Sequence, residues 1–184
     1  DGAERILTEL ARQWHQDGHK ITVIQTSPNR YGTEYALPEG IEQIQIHTTS
    51  SNKIIRFLQE IKVLIGILKK RPRATCLSFL SASSFILAIS SWFVKNRIVF
   101  SERNNPRKVP VGKHQQMLRD FAFNFADAIV FQTEDAKSYF SHTIQSRGHI
   151  IPNPINGNLP EPYGGERDKT IVTACRLQIG RAHV

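Results

Sequence analysis

The chain has 184 residues, of which 40% are hydrophobic and 22% are charged, and its formal net charge is +8. This composition excludes an intrinsically disordered protein, and the length fits one ordinary domain with the beginning of another. The two cysteines lie far apart in apolar runs and do not support a disulfide framework or a zinc site, so both are interpreted as core thiols in a reducing compartment. No apolar run reaches the roughly 18 residues of a membrane-spanning helix.

Helix and strand patterns alternate from the start of the chain. Apolar residues at helical spacing predict a helix over 3–16, with Gly18 as its stop signal. The β-branched run over 20–26 and the apolar-polar alternation over 41–47 predict two strands.

An amphipathic helix is predicted over 52–70. The apolar residues expected on its sheet-facing side are Ile54, Phe57, Leu58, Ile61, Leu64, Ile65 and Leu68. Residues 53–73 hold seven basic residues against Glu60 alone, which accounts for most of the net charge. Two interpretations stay open: solvated lysines on a helix that covers the sheet, or a cationic surface that meets nucleic acid or anionic lipid.

The same alternation continues to residue 155. Strands are predicted over 74–80, 97–102, 128–133 and from 148, with helices over about 83–94 and 115–126. The second of these helices is expected to bury Leu118, Phe121, Ala122 and Phe125, and Thr133 is predicted to cap a further helix. Strands that alternate with helices indicate βαβ units. We therefore predict an α/β fold, a doubly wound parallel sheet with helices on both faces.

The amino-acid composition changes after residue 155. We assign 1–155 to the first domain, 156–169 to a Gly- and Pro-rich linker, and 170–178 to the first strand of a second domain. Residues 179–184 read IGRAHV, which matches a sequencing-library adapter when back-translated with the codons ATC GGA AGA GCA CAC GTC. We interpret this tail as an adapter remnant, with a natural C-terminus of unusual composition as the alternative.

Polar residues that follow the predicted strands are the candidate ligand-binding groups, because parallel sheets bind ligands at the carboxyl ends of their strands. Glu102, Arg103 and Asn104 lie in the polar run SERNN that follows RIVF, in a cluster that can hydrogen-bond a polyhydroxylated ligand and neutralise phosphate. Gly2 precedes a helix whose N-terminus favours an anion, although an ordinary tight turn explains it equally well. No nucleophile elbow, P-loop or dinucleotide fingerprint is present.

Several segments in this order carry a family resemblance: DGAER, GHKITVI, SERNN, AIVFQTEDAKSYF, IPNPI and a final strand that ends in RL. Together they resemble the N-terminal half of a GT-B glycosyltransferase, a Rossmann-like domain. More narrowly, the chain is similar to the large retaining family with an RL-to-Lys phosphate-binding segment at the start of its second domain. The resemblance covers residues 1 to about 178 and implies a chain truncated at both ends, with the first strand missing.

The resemblance also implies roles for individual residues. Gly2 and Arg176 would contact the donor and its phosphates, while Glu102, Arg103 and Asn104 would line the acceptor side of the cleft. Asp1 replaces the first glycine of the usual pair, SERNN stands where many relatives have a histidine, and the family's lysine after Arg176 is absent. The catalytic acidic motif lies outside this chain, so the catalytic residues stay unknown. No cofactor and no obligatory metal is expected.

The implied activity is transfer of a sugar from a UDP- or GDP-sugar to a hydroxyl, with retention, in bacterial polysaccharide or oligosaccharide biosynthesis. The expected partners are a nucleotide sugar and a glycan or polyprenyl-linked acceptor, and no nucleic acid. The expected location is cytoplasmic. A contact with the anionic inner face of the plasma membrane would be made by Lys53, Arg56, Lys62, Lys69 and Lys70. A GT-B sugar-nucleotide epimerase and a non-enzymatic basic α/β binding protein are the alternatives.

Overall fold

The structure is a computed structural model that describes residues 2–25, 36–79, 81–154 and 164–165. The chain divides into two units, Asp1–Asn153 and Pro154–Val184. The predicted strand over 170–178 and most of the predicted linker lie outside the described residues, so the fold described below is that of the first unit.

The first unit alternates helices and strands as the sequence predicts. In chain order the elements are α1 (Gly2–Gln16), β1 (Thr22–Gln25), β2 (Glu42–Gln45), α2 (Lys53–Lys69), β3 (Thr75–Ser78), α3 (Ser81–Ser91), β4 (Arg97–Ser101), α4 (Lys113–Phe123), β5 (Ala128–Phe131), α5 (Glu134–Ser138), α6 (His142–Gln145) and β6 (Gly148–Ile150). Every described strand pairing is parallel. The predicted α/β class, with parallel sheets flanked by helices, is confirmed.

The described strands fall into two sheets. Strands β3, β4, β5 and β6 form a four-stranded sheet in that order, and β1 pairs with β2 in a separate two-stranded sheet. Both sheets contribute to the same hydrophobic core, because Ile46 belongs to it and Ile24 packs against it. The completely buried centre of the core includes Phe100, Ile129 and Phe131 on the middle strands, together with Ala122 on α4.

Local sequence signals explain where several elements begin. The side chain of Asn52 accepts hydrogen bonds from the backbone N–H groups of Ile54 and Ile55 and so caps α2. Thr133 accepts from the N–H of Ala136 at 3.2 Å, which confirms its predicted role as the cap of α5. Gly18, two residues after the end of α1, has a φ of +86°, a left-handed conformation that glycine adopts without steric cost.

Two helices present faces that differ from the expected ones. In α4 the buried residues are Arg119, Ala122 and Phe123, whereas Leu118 and Phe121 are exposed, so the predicted inner face is wrong at these two positions. In α2 the buried residues are Ile61, Leu64 and Leu68, while Ile54 and Leu58, which were expected to face the sheet, are exposed. The apolar stripe of α2 is therefore fully buried only from Ile61 onward, while Phe57 is partly buried against the core.

Candidate functional site

Side chains from four consecutive strand ends form the candidate site. Phe79 follows β3, Arg103 follows β4, Gln132 follows β5, and Asn153 lies three residues after β6. Because β3 to β6 are parallel, their carboxyl ends lie along the same edge of the sheet. We call Phe79, Arg103, Gln132 and Asn153 the carboxyl-edge cluster.

Arg103 is the centre of this cluster. Its Nη1 donates a hydrogen bond to Asn153 Oδ1 at 2.7 Å, and its guanidinium carbon lies 5.0 Å from the ring centroid of Phe79. The Arg103 Nε atom is buried and has no hydrogen-bond partner among the described residues. Burial lowers the pKa of Arg103 from its ordinary value, because desolvation disfavours the charged form.

The Asn153 side-chain oxygen accepts hydrogen bonds from residues at the ends of two strands, β4 and β5. In addition to the bond from Arg103, its Oδ1 accepts a hydrogen bond from Gln132 Nε2 at 2.9 Å. Neither Gln132 nor Asn153 was predicted from the sequence. The available signals were the position of Gln132 directly after AIVF and of Asn153 inside IPNPI.

Glu102 occupies a different environment from its neighbour Arg103. Its side chain is only 4% exposed, its Oε1 accepts a hydrogen bond from the Asn104 N–H at 3.0 Å, and its Oε2 lies 3.8 Å from Arg119 Nη1. Desolvation by burial raises the pKa of Glu102, and this effect outweighs the lowering by the Asn104 hydrogen bond and the charge of Arg119. The carboxylate thus contacts the protein interior.

Arg119 on α4 holds the loop that follows β4. Its Nη1 donates to the backbone carbonyl oxygens of Pro106 at 3.0 Å and Val109 at 2.8 Å. The guanidinium carbon also lies 4.9 Å from the ring centroid of Phe140. Sequence analysis missed this residue because a charged side chain in an amphipathic helix is normally assigned to the solvent face.

The remaining predicted site residues are dispersed or undescribed. Gly2 is the first residue of α1. Asn104 is exposed and contributes its backbone N–H to Glu102. Arg176 lies outside the described residues. The structure therefore brings Glu102, Arg103 and Asn104 to one strand end, and their roles in binding an acceptor stay predictions.

The surface of α2 combines positive charge with exposed apolar side chains. Its five exposed cationic residues are Lys53, Arg56, Lys62, Lys69 and the C-cap residue Lys70. Ile54 is 71% exposed, Leu58 is 58% exposed and Ile55 is 49% exposed. We call these eight residues the α2 surface.

Neither a metal cluster nor a membrane span is found in the part of the chain that the structure describes. No three His, Cys, Asp or Glu side chains there are grouped so that they could hold a metal ion. None of the described helices combines the length and the apolar content that crossing a bilayer requires.

The fold and the carboxyl-edge cluster define a Rossmann-like α/β domain that carries its polar groups where such domains bind ligands. The model of Glycosyltransferase Family 4 matches residues 1–158. The chain therefore belongs to glycosyltransferase family 4, and its architecture fits the N-terminal domain of a GT-B glycosyltransferase. No curated protein matches the chain.

Proposed function

We propose that the protein transfers a hexose or N-acetylhexosamine from a UDP- or GDP-sugar to a hydroxyl of a glycan or polyprenyl-linked acceptor, with retention, in bacterial polysaccharide or oligosaccharide biosynthesis. The observation that carries this proposal is the family match over 1–158. The carboxyl-edge cluster supports it, because neutral amides beside an arginine suit a ligand with both hydroxyl and phosphate groups.

We assign the donor and acceptor contacts to different parts of the chain. Arg176 and the N-terminus of α1 at Gly2 would stabilise the charge that develops on the leaving diphosphate, without an obligatory metal. Glu102, Arg103 and Asn104 would lie on the acceptor side, where Glu102 acts through the interior contacts that shape the loop. Closure of a second domain over the donor would exclude the water that otherwise hydrolyses it.

The test is an assay of the complete reading frame that contains this chain. UDP- and GDP-hexoses would be offered with a prenyl-diphosphate-linked sugar, the products identified by mass spectrometry and the anomeric configuration read by proton NMR. Transfer with retention supports the proposal. Lack of transfer from every donor, by a folded enzyme, would overturn it.

We also propose that the 184-residue chain alone does not catalyse transfer. Transfer is proposed to need closure of a donor-binding domain around the nucleotide sugar, and residues 170–178 are assigned only to the first strand of that domain. The purified chain is expected to give no product above background in the same assay. Multiple turnovers by this chain would contradict the proposal.

We propose further that the α2 surface contacts an anionic membrane on the cytoplasmic side. Each Lys or Arg near such a surface contributes about 1 kcal/mol, and exposed Ile54, Ile55 and Leu58 add apolar groups beside those charges. The combination supports a peripheral location that delivers the enzyme to a lipid-linked acceptor.

Liposome flotation tests this location. The chain is expected to float with phosphatidylglycerol vesicles at low salt and not with phosphatidylcholine vesicles, since the attraction is screened by ions. Replacing Ile54 and Leu58 with serine, or Lys53 and Arg56 with glutamine, should reduce flotation. The exposed Lys95 and Lys108, converted to glutamine, provide the matched charge control. Equal flotation of all variants would contradict the assignment of this surface.

A further inference from the structure

Adjacent residues Glu102 and Arg103 have separate sets of partners. Glu102 is directed toward Arg119 in the interior, with a separation of 3.8 Å between Oε2 and Nη1. Within the described ranges, no acidic side chain lies within 4.0 Å of the Arg103 guanidinium nitrogens. The positive charge at the carboxyl edge is therefore not neutralised by a described carboxylate.

The guanidinium of Arg103 retains hydrogen-bonding capacity. Arginine carries five N–H donors, and the one described bond of this side chain is from Nη1 to Asn153. Its Nε is buried without a described partner, although an unsatisfied buried donor is costly. The ring of Phe79 lies 5.0 Å from the guanidinium carbon, so the aromatic contact does not satisfy the in-plane N–H groups.

Asn153 contributes a further donor beside this arginine. Its Oδ1 accepts from both Arg103 and Gln132, which fixes the oxygen end of the amide. The Nδ2 group consequently faces away from these two donors, and it makes no hydrogen bond to the described residues. Arg103 Nη2 and Asn153 Nδ2 are therefore two N–H donor groups that bond to no described residue, and no described carboxylate lies within 4.0 Å of the guanidinium.

We propose that Arg103 and Asn153 form a binding site for a phosphate group, and that this phosphate belongs to the acceptor. A phosphate offers three terminal oxygens to donors on two residues, and an arginine fork fits two of those oxygens at once. The assignment to a phosphate-bearing acceptor, such as a prenyl-diphosphate-linked sugar, rests on the proposed function, and prenyl phosphate serves as a simpler probe of it. The phosphate site itself rests on the unpartnered donors.

Isothermal titration of the 184-residue chain tests the site with three probes: inorganic phosphate, a short-chain prenyl phosphate below its micelle concentration, and UDP. The prenyl phosphate is expected to bind, with inorganic phosphate as a competitor. Arg103→Gln should weaken that binding at least about tenfold, because the charged hydrogen bonds are lost. Arg107→Gln is the matched control: Arg107 lies in the same loop, is exposed and pairs with Asp135, so binding should change less than about twofold.

A second variant keeps the arginine and changes its environment. Asn153→Asp places a carboxylate where Oδ1 accepts from Arg103, so it should compete with phosphate and weaken binding at least about tenfold. Urea unfolding of each variant confirms that the chain is folded. Unchanged affinity in both Arg103→Gln and Asn153→Asp would overturn the site, as would an equal loss in Arg107→Gln.

The probes separate the source of the phosphate from the existence of the site. Binding of UDP that depends on Arg103, without binding of prenyl phosphate, would overturn the acceptor assignment in favour of the donor diphosphate. Arg103-dependent phosphate binding by a chain whose complete reading frame transfers no sugar would contradict the proposed function alone. Transfer by an Arg103→Gln enzyme with unchanged acceptor affinity would contradict this inference alone.

Discussion

Arg119 Nη1 lies 3.8 Å from Glu102 Oε2, and both side chains are buried beneath the loop that follows β4. The same nitrogen donates to the carbonyl oxygens of Pro106 and Val109, so one charged group on α4 fixes both the start and the middle of this loop. The loop begins at the carboxyl edge beside Arg103. The geometry of the candidate site therefore depends on an ion pair that does not itself belong to the carboxyl-edge cluster.

Loss of Arg119 should be strongly destabilising. Arg119→Met leaves the Glu102 carboxylate without its buried opposite charge and two carbonyl oxygens without their donor, and breaking a buried pair costs about 3 to 5 kcal/mol. Glu102→Gln should cost less, since Arg119 keeps its carbonyl partners. Urea-induced unfolding measures both changes, with Arg107→Met as the exposed control. Equal effects of Arg119→Met and Arg107→Met would refute this interpretation.

The stability should depend on pH through Glu102. Burial raises the pKa of Glu102 above its ordinary value of 4.5, so the folded chain holds this proton at pH values where the unfolded chain has released it. The contribution of Glu102 to the free energy of unfolding is therefore largest below about pH 4 and falls as pH rises through the raised pKa. Wild-type stability relative to Glu102→Gln should decline over that interval. A relative stability that rises with pH would have the opposite sign and contradict the burial effect.

Substitution of two glycines by alanine should change the stability of the fold in opposite directions. A Cβ added at Gly148 would lie 2.6 Å from Phe131 Cε2 and 3.1 Å from the Gln145 carbonyl oxygen, so Gly148→Ala should destabilise the fold by about 1 to 3 kcal/mol. An added Cβ at Gly66 in α2 meets no atom within 4 Å, and Gly66→Ala should stabilise by about 0.5 to 1 kcal/mol. Thermal unfolding of the two variants compares the effects directly; destabilisation by both would show that the α2 position is also constrained.

Cys76 should react slowly with thiol reagents. Burial raises the pKa of the Cys76 thiol to about 11 from an ordinary value of 9.0, which lowers the thiolate fraction at pH 8 by roughly a hundredfold. In a Cys175→Ser background, alkylation of the folded chain should be slower than that of the urea-unfolded chain by about that factor. Similar rates in the two states would show that Cys76 is accessible and ionised.

The sequence predicted the elements of the fold because their signals are local. The cap at Thr133 and the strand 128–133 follow from neighbouring residues, and the structure confirms them at Ala128–Phe131 with a cap bond to Ala136. Parallel pairing also followed from the alternation of strands and helices. Local patterns sufficed here because each depends on backbone geometry within a few residues.

The sequence did not predict how much of a helix face is buried. Periodicity grouped Ile54 and Leu58 with the buried residues of one face of α2, but both of these side chains are exposed. Spacing defines which residues share a face, whereas burial depends on which neighbouring elements reach that face.

The amino-acid sequence by itself determined the α/β class, the order of the elements and the strand ends at which the candidate site residues lie. The tertiary structure alone decided the partners of those residues. Arg103 bonds to Asn153, which is 50 residues away in the chain, and Glu102 lies against Arg119 on the following helix. The reason is that hydrogen bonds and desolvation depend on distances between elements, and folding sets these distances only when the strands align and the helices pack against them.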